Sequence, residues 1–102
     1  MELSGYIEKT ANFSAKTFGN GYRTTGICEH IRQELEEIRE NPNDLFEWVD
    51  VIILALDGAT NRGFTPKQIT EALEVKLAVN ICRNWPSIAE QEEGKPINHI
   101  KN

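Results

Sequence analysis

Two pairs of acidic residues interrupt otherwise apolar helical sequence. Glu34 and Glu37 are three residues apart, as are Glu47 and Asp50, and the second pair lies in the most apolar stretch of the chain, DLFEWVDVIILALDG. Residues three apart are neighbours on one face of an α-helix, so each pair places two carboxylates side by side. An ionised carboxylate buried without a partner costs on the order of several kcal/mol. These four acids must therefore be paired, protonated or bound to a metal ion.

The metal-bound alternative explains all four acids together. A helix cap accounts for part of the role of Glu47, and an ion pair with Lys76 or Arg83 accounts for one acid, but neither explains two acids on each of two helices. If the two helices pack as an antiparallel pair about 8 to 10 Å apart, the pairs converge. Carboxylate oxygens suit Mg²⁺, which also binds substrate phosphates. We therefore expect a Mg²⁺ site, with Mn²⁺ as an alternative ion, and assign metal binding and catalysis to the same four residues.

Basic and polar side chains that could bind phosphate lie on a later helix. Lys76, Asn80 and Arg83 fall on one side of that helix, among apolar residues. Taken alone, they are typical of long side chains that reach past an apolar surface to water. Next to four acids, they are predicted to bind phosphate or to hold a metal ligand.

Other candidate contacts rest on weaker patterns. His30 lies one turn before Glu34 and is predicted to support the acids or to touch the substrate, with a structural histidine as an equal alternative. Phe18, Tyr22 and Trp48 could stack on a base, although we expect Trp48 to belong to the core. For Phe18, in the segment TFG, a substrate contact and a structural turn are equally favoured.

Three main helices are needed to position these residues. The first covers about residues 25–40, with an apolar face of Ile27, Ile31, Leu35 and Ile38, and ends before a proline. The second covers about 44–61, and its nearly continuous apolar surface indicates a central helix.

The first residues of these segments carry capping signals. Asp44 and Glu47 are spaced like a capping box, while Thr65, Pro66 and Gln68 open the third helix, which covers about 65–84. A short N-terminal helix over about 3–11 precedes a loop. We find no strand pattern and expect an all-α antiparallel bundle, with a single domain over 1–88 and a polar tail over 89–102.

Charge and hydrophobicity indicate which kinds of binding partner and which location to expect for the chain. The 102 residues carry a formal net charge of -5, which argues against nucleic acid and against anionic membranes as partners. No apolar run approaches the roughly 20 residues that span a bilayer, and the first residues do not form a signal peptide. We expect a cytoplasmic protein. Three good helices leave a half-open cleft, so we also expect a homo-oligomer, either a dimer or a tetramer.

The ordered motifs resemble a known superfamily. The pattern of E-x-x-E, E-x-x-D and K-x-x-x-N-x-x-R is similar to that of the all-α nucleoside triphosphate pyrophosphatases, the MazG-like superfamily. The blocks TFG, HIRQEL, EWVDVIILALDGA and RNWP resemble the dATP/dGTP diphosphohydrolase family within it, which is common in phages and prophages. The resemblance implies Mg²⁺-dependent cleavage of a deoxypurine triphosphate to the monophosphate and pyrophosphate, in a bacterial or phage-infected host cytoplasm.

Two other functions compete with this expectation. The same fold could act on dUTP, a damaged nucleotide or a signalling nucleotide, because the sequence contains no readable base or sugar contact. Alternatively, the chain could be a non-enzymatic helical interaction module, whose acids would be exposed and indifferent to metal.

Overall fold

The computed structural model describes residues 1–101, which form four α-helices and no β-strand. The helices are α1 (Leu3–Phe18), α2 (Thr24–Glu40), α3 (Leu45–Asn61) and α4 (Pro66–Cys82), and a single 3-10 turn follows at Ile88–Glu90. The expected all-α class is confirmed. The chain divides into two compact units, Met1–Thr70 and a second that begins at Glu71. None of the helices in the described residues is long and apolar enough to cross a membrane.

The N-terminal helix is longer than the sequence led us to expect. α1 has 16 residues, against 17 for each of the other three helices, so the expected short helix and following loop are wrong. The helix ends where Gly19 adopts a φ of 86°, a conformation that favours glycine. The prediction placed the loop too early because it extended the turn signal of the Gly-Asn-Gly segment back to Phe13.

α2 and α3 form an antiparallel hairpin whose bounds agree with the prediction to within one residue. The backbone N–H of Arg23, just before α2, donates a hydrogen bond of 2.8 Å to the side chain of Asn61, the last residue of α3. Further along, a Cβ placed on Gly58 would lie 3.6 Å from the Ile27 side chain. These contacts fix the register, so the C-terminal half of α2 lies beside the N-terminal half of α3.

α3 is the central helix of the first unit, because it packs against both α1 and α2. The hydrophobic core contains Ile7, Ile27, Ile38 and Leu56. Two expected core residues are not buried. Leu35 is 48% exposed and Trp48 is 50% exposed. The indole N–H of Trp48 donates a hydrogen bond of 2.9 Å to the carbonyl of Pro42, which holds the ring against the α2–α3 turn and out of the core.

The start of α4 has the capping box that the sequence predicts. The backbone N–H of Gln68 donates to the Thr65 hydroxyl at 3.1 Å, and the backbone N–H of Thr65 donates to the Gln68 side chain at 2.9 Å. Both groups would otherwise be among the unpaired N–H groups of a helix N-terminus.

The second unit contains most of α4 and the tail. The backbone N–H of Ile100 donates to the carbonyl of Asn84 at 2.7 Å, and the rings of Trp85 and His99 make an edge contact. The tail therefore folds back along its own unit. The proposed domain limits of 1–88 and 89–102 stay a prediction.

Candidate active site

Three glutamates from α2 and α3 converge. Glu34, Glu37 and Glu47 each offer a carboxylate oxygen, and these three oxygens all lie within 4.8 Å of one another. The hairpin register causes this convergence, since it sets the C-terminal half of α2 against the first turn of α3. The group could hold a metal ion.

Two oxygens of this group lack a hydrogen-bond partner. Oε2 of Glu34 and Oε2 of Glu47 are both buried, and neither finds a donor among residues 1–101. The Glu34 side chain is only 12% exposed. Buried polar atoms are normally satisfied, so two orphaned carboxylate oxygens facing one cluster indicate that a positively charged group is meant to lie there.

The electrostatics of the cluster agree with this interpretation. Loss of hydration raises the pKa of the Glu34 carboxyl above its ordinary value, and the charges of Glu37 and Asp50 raise it further, while His30 opposes the rise. Loss of hydration likewise raises the pKa of Glu47, with a hydrogen bond to Glu37 as the next cause. A bound cation would favour the ionised form of these crowded carboxyls and so counteract the rise in their pKa values.

Helix capping does not account for Glu47. Asp44 is the N-cap of α3, as predicted, and its carboxylate accepts a hydrogen bond of 3.0 Å from the backbone N–H of Phe46. A capping box would also require Glu47 to bind the backbone N–H of Asp44, but that N–H donates to the carbonyl of Asn41. The Glu47 carboxyl turns instead to Glu37.

Asp50 and His30 border the cluster. Asp50 lies one turn after Glu47 on α3 and lines the same cleft as Glu34. His30 Nε2 is 3.3 Å from Oε1 of Glu34. This contact leaves the second Glu34 oxygen unpaired, so His30 can orient the carboxylate without occupying the cluster.

The other acids of α2 behave as an ordinary solvated face. Arg32 bridges Glu29 and Glu36 at 2.6 and 3.0 Å, and all three side chains are more than half exposed. The structure thus separates surface acids that are paired with arginine from Glu34 and Glu37, which face Glu47 of α3 and have no lysine or arginine partner within residues 1–101.

A cleft of about 900 Å³ extends from the acids along the first unit. Residues of α1, α2 and α3 line it, with Glu34 and Asp50 among its acidic residues and Phe13, Ile27 and Leu54 among its apolar ones. This volume lies within the range of about 300 to 1,000 Å³ that is usual for small-molecule sites.

Sequence reasoning missed an ion pair in this cleft. The Arg23 guanidinium donates two hydrogen bonds to the carboxylate of Asp57, at 3.1 and 2.9 Å, and Asp57 is 6% exposed. One signal was available, because Asp57 follows Asp50 by seven residues and so lies on the same face of α3. No spacing in the sequence indicates its partner, which is 34 residues away.

Phe18 lies in the cleft wall at the end of α1. Its ring stacks on Phe13 with a centroid distance of 6.2 Å, and the Arg23 guanidinium lies 4.9 Å from its centroid. The loop that follows is anchored to α3, since Asn61 donates to the carbonyl of Gly21 and Arg62 covers the ring of Tyr22. Phe18 therefore has a fixed place beside the cleft, and its contact with a substrate stays a prediction.

The predicted phosphate-binding residues belong to the second unit. Lys76 and Asn80 lie on α4, and Arg83 follows its last residue. Arg83 donates a hydrogen bond of 3.2 Å to the Asn80 side chain, and the backbone carbonyl of Asn80 accepts another from Trp85. Asn80 and Arg83 therefore act as a local pair, while the convergence of this motif with the acids stays a prediction.

Comparison with protein families and curated proteins gives three matches. The profile of the dATP/dGTP pyrophosphohydrolase family matches residues 6–102. The Eaa protein of Salmonella phage P22 is 36% identical over 91 residues, which cover 89% of this chain, and the dATP/dGTP diphosphohydrolase of Cyanophage S-2L is 45% identical over 65 residues, which cover 62% of it. The chain spans 27% and 59%, respectively, of the lengths of these relatives.

A solved structure shares the fold over nearly the full chain. The Cyanophage S-2L MazG-like pyrophosphohydrolase, bound to dGDP and three catalytic Mn²⁺ ions per active site, aligns with a TM-score of 0.75 and 28% identity. The alignment covers 99% of both chains.

Proposed function

Because this chain belongs to the dATP/dGTP pyrophosphohydrolase family, we propose that it is a metal-dependent nucleoside triphosphate pyrophosphohydrolase that converts dATP or dGTP to the monophosphate and pyrophosphate. The observation that carries the proposal is the cluster of Glu34, Glu37 and Glu47, with two buried oxygens that have no donor in residues 1–101.

The donors of this cluster fit Mg²⁺ or Mn²⁺. Both are hard cations that prefer carboxylate and water ligands to thiolates. The cluster supplies carboxylate oxygens from two rigid helices, and Asp50 adds a fourth carboxylate at its border. Mn²⁺ occupies the active site of the related cyanophage enzyme, and Mg²⁺ is proposed as the ion used in the cell.

Each acidic residue has a proposed role in the reaction. Glu34, Glu37, Glu47 and Asp50 would hold the metal ions, which neutralise phosphate charge and activate water when bound. Glu34 or Glu37 would accept a proton as a water oxygen attacks the α-phosphorus. The bond from that phosphorus to the oxygen bridging the α and β phosphates then breaks, and pyrophosphate leaves.

Residues outside the acid cluster are proposed to bind the phosphates and the base of the substrate. Lys76, Asn80 and Arg83 are proposed to bind the phosphates, with the Arg83–Asn80 hydrogen bond holding two of these side chains in register. Phe18 is proposed to contact the base, because its ring lies in the cleft wall beside Arg23 at the start of α2, whereas Glu34 lies in the C-terminal half of that helix. His30 is proposed to hold Glu34 in its orientation.

A second copy of the chain is proposed to complete the molecule. Leu45, Phe46 and Ile52 of α3 are 70%, 77% and 56% exposed, although they belong to the most apolar helix. Apolar residues exposed together on one helix commonly mark an interface. We therefore propose that the chain forms a homo-oligomer, either a dimer or a tetramer. We also propose that it is located in the cytoplasm.

A panel of nucleotides tests the function. Purified protein with Mg²⁺ or Mn²⁺ is incubated with each deoxynucleoside and ribonucleoside triphosphate, and pyrophosphate release is measured. We expect release from dATP or dGTP, and a loss of at least roughly a hundredfold in Glu47→Gln, since even the loss of an outer partner of a metal ligand costs 10- to 100-fold. Glu36→Gln, which removes a surface acid paired with Arg32, is the matched control. Absence of pyrophosphate from every nucleotide would refute the proposal.

A further inference from the structure

Lys9 of α1 is a cationic side chain with no role in the reaction proposed above. It lines the cleft together with Glu34 and Asp50. Arg23 also lines the cleft, but both of its terminal nitrogens are bound to Asp57. Within the first unit, Lys9 is therefore the one described lysine or arginine that lines the cleft and forms no ion pair there.

Lys9 lies well back along α1 from the contact between Phe18 and Arg23. Phe18 at the end of α1 lies next to Arg23 just before α2, and residues of both helices line the cleft. At 1.5 Å per residue, Lys9 is about 13.5 Å back along α1, whereas His30 and Glu34 are about 10.5 and 16.5 Å along α2. Lys9 is therefore separated from the Phe18–Arg23 contact by an axial length between those of His30 and Glu34, and all three residues line the cleft.

The adjacent residue Thr10, which also lines the cleft, is less suited to an anion. The Thr10 hydroxyl donates its hydrogen to the carbonyl of Ile7 at 2.9 Å, so it is not available as a donor. The lysine ammonium carries three donors on a flexible stem and can follow a phosphate chain. When bound, metal ions held by the acids would neutralise part of the charge of a triphosphate, and a cation on the α1 wall of the cleft would neutralise more of it.

We propose that Lys9 binds the triphosphate chain of the substrate across the cleft from the metal-binding acids. This inference rests on the proposed pyrophosphohydrolase function and adds a phosphate-binding residue from α1, outside every motif that the sequence made recognisable. Lys9 supplies charge to the phosphates beyond the α-phosphate, so its contribution depends on how many phosphates the nucleotide carries.

Equilibrium binding of two ligands tests the assignment. The affinity of α,β-methylene-dGTP, which cannot be cleaved between the α and β phosphates, is compared with that of dGMP in the presence of Mg²⁺. In Lys9→Gln we expect the affinity for the triphosphate analogue to fall about tenfold or more, with less than about a twofold change for dGMP. Lys9→Arg should keep most of the affinity because it keeps the charge.

Lys16 provides a matched control on the same helix. It lies in the last turn of α1 and does not line the cleft, so Lys16→Gln should bind both ligands as the unaltered protein does. Mn²⁺ affinity without nucleotide, measured by electron paramagnetic resonance, should be preserved in Lys9→Gln and lost in Glu47→Gln. This readout separates a phosphate contact from damage to the metal site.

The possible outcomes distinguish a failure of the Lys9 assignment from a failure of the proposed pyrophosphohydrolase function. If the unaltered protein releases pyrophosphate and Lys9→Gln binds the analogue as tightly as Lys16→Gln does, the role of Lys9 is refuted and the function stands. Equal losses for the analogue and dGMP would also refute it, since a structural defect would then explain both. If the unaltered protein neither binds the analogue nor cleaves any nucleotide, both proposals fail together.

Discussion

The carboxyl groups of Glu34 and Glu47 share an unusual environment for acids on a short helical hairpin. Each has one buried oxygen without a donor in the described chain, and each has its pKa raised, first by lost hydration and then by neighbouring groups. Arg32 shows the contrast on the outer face of α2, where it holds Glu29 with a pKa below the ordinary value. Ionisation of these inner acids therefore lowers the stability of the folded protein, and a bound cation would offset that loss.

The raised pKa values predict how metal-free protein responds to pH. Between the ordinary glutamate pKa of about 4.5 and the raised one, the folded state binds more protons than the unfolded state, so Glu34 and Glu47 lower stability as pH rises. A divalent cation needs ionised ligands and reverses this effect. We expect Mg²⁺ or Mn²⁺ at millimolar concentration to raise the Tm more at pH 7.5 than at pH 5.

Thermal melts at both pH values, with and without metal, provide the measurement. Sodium chloride of equal ionic strength controls for screening, and Glu47→Gln should lose the metal-dependent shift. An equal metal-induced shift at the two pH values would show that ionisation of these acids does not limit metal binding.

The helices differ in how far sequence alone specified them. Pro42, Thr65 and Gln68 act within a few residues, so the bounds of α2, α3 and the start of α4 were predicted closely. The end of α1 was predicted wrongly, because the glycines near residue 20 mark a turn without marking where it begins. Short-range signals thus determine the helix bounds. The predicted burial of Trp48 was wrong, because burial depends on which elements pack over α3.

The same distinction applies to the site. The i, i+3 spacing of Glu34 with Glu37 placed two acids on one helix face, and the hairpin then brought Glu47 to them. Lys9 and the Arg23–Asp57 pair escaped prediction, since their place in the cleft depends on α1 packing against α3 and on contacts between residues distant in sequence.

The Arg23–Asp57 ion pair is predicted to hold the α1–α2 loop to α3. Asp57→Asn leaves a largely buried guanidinium without its counter-charge, and we expect the free energy of unfolding to fall by about 2 kcal/mol or more. Glu36→Gln, which breaks an exposed pair with Arg32, should cost far less, because water screens that pair. Urea unfolding of the two variants measures the difference, and equal small losses would show that Asp57 is not a structural anchor.

The molecule as a whole leaves much of its apolar surface uncovered. Only four hydrophobic residues of the described chain are buried, and α4 contains no buried residue. A chain of 102 residues is small for a single core, so a partner surface would supply burial that the isolated chain lacks.

The proposed interface on α3 predicts a change of mass on substitution. Phe46 is 77% exposed, and Phe46→Glu places a charge in the apolar surface, which should shift the protein toward monomers in analytical ultracentrifugation. Gln33→Glu adds the same charge on the solvated face of α2 and should leave the mass unchanged. A monomeric unaltered protein would refute the oligomer, and an unaltered mass in Phe46→Glu would place the interface elsewhere.

Hydrolysis of dGTP in ¹⁸O-labelled water, followed by ³¹P NMR, tests the central claim most directly. If the acid cluster directs water to the α-phosphorus, one labelled oxygen appears in dGMP, the pyrophosphate is unlabelled, and both products require Mg²⁺ or Mn²⁺ and the Glu47 carboxylate. Label in the pyrophosphate, release of orthophosphate with dGDP, or the same products from Glu47→Gln in the presence of EDTA would contradict it.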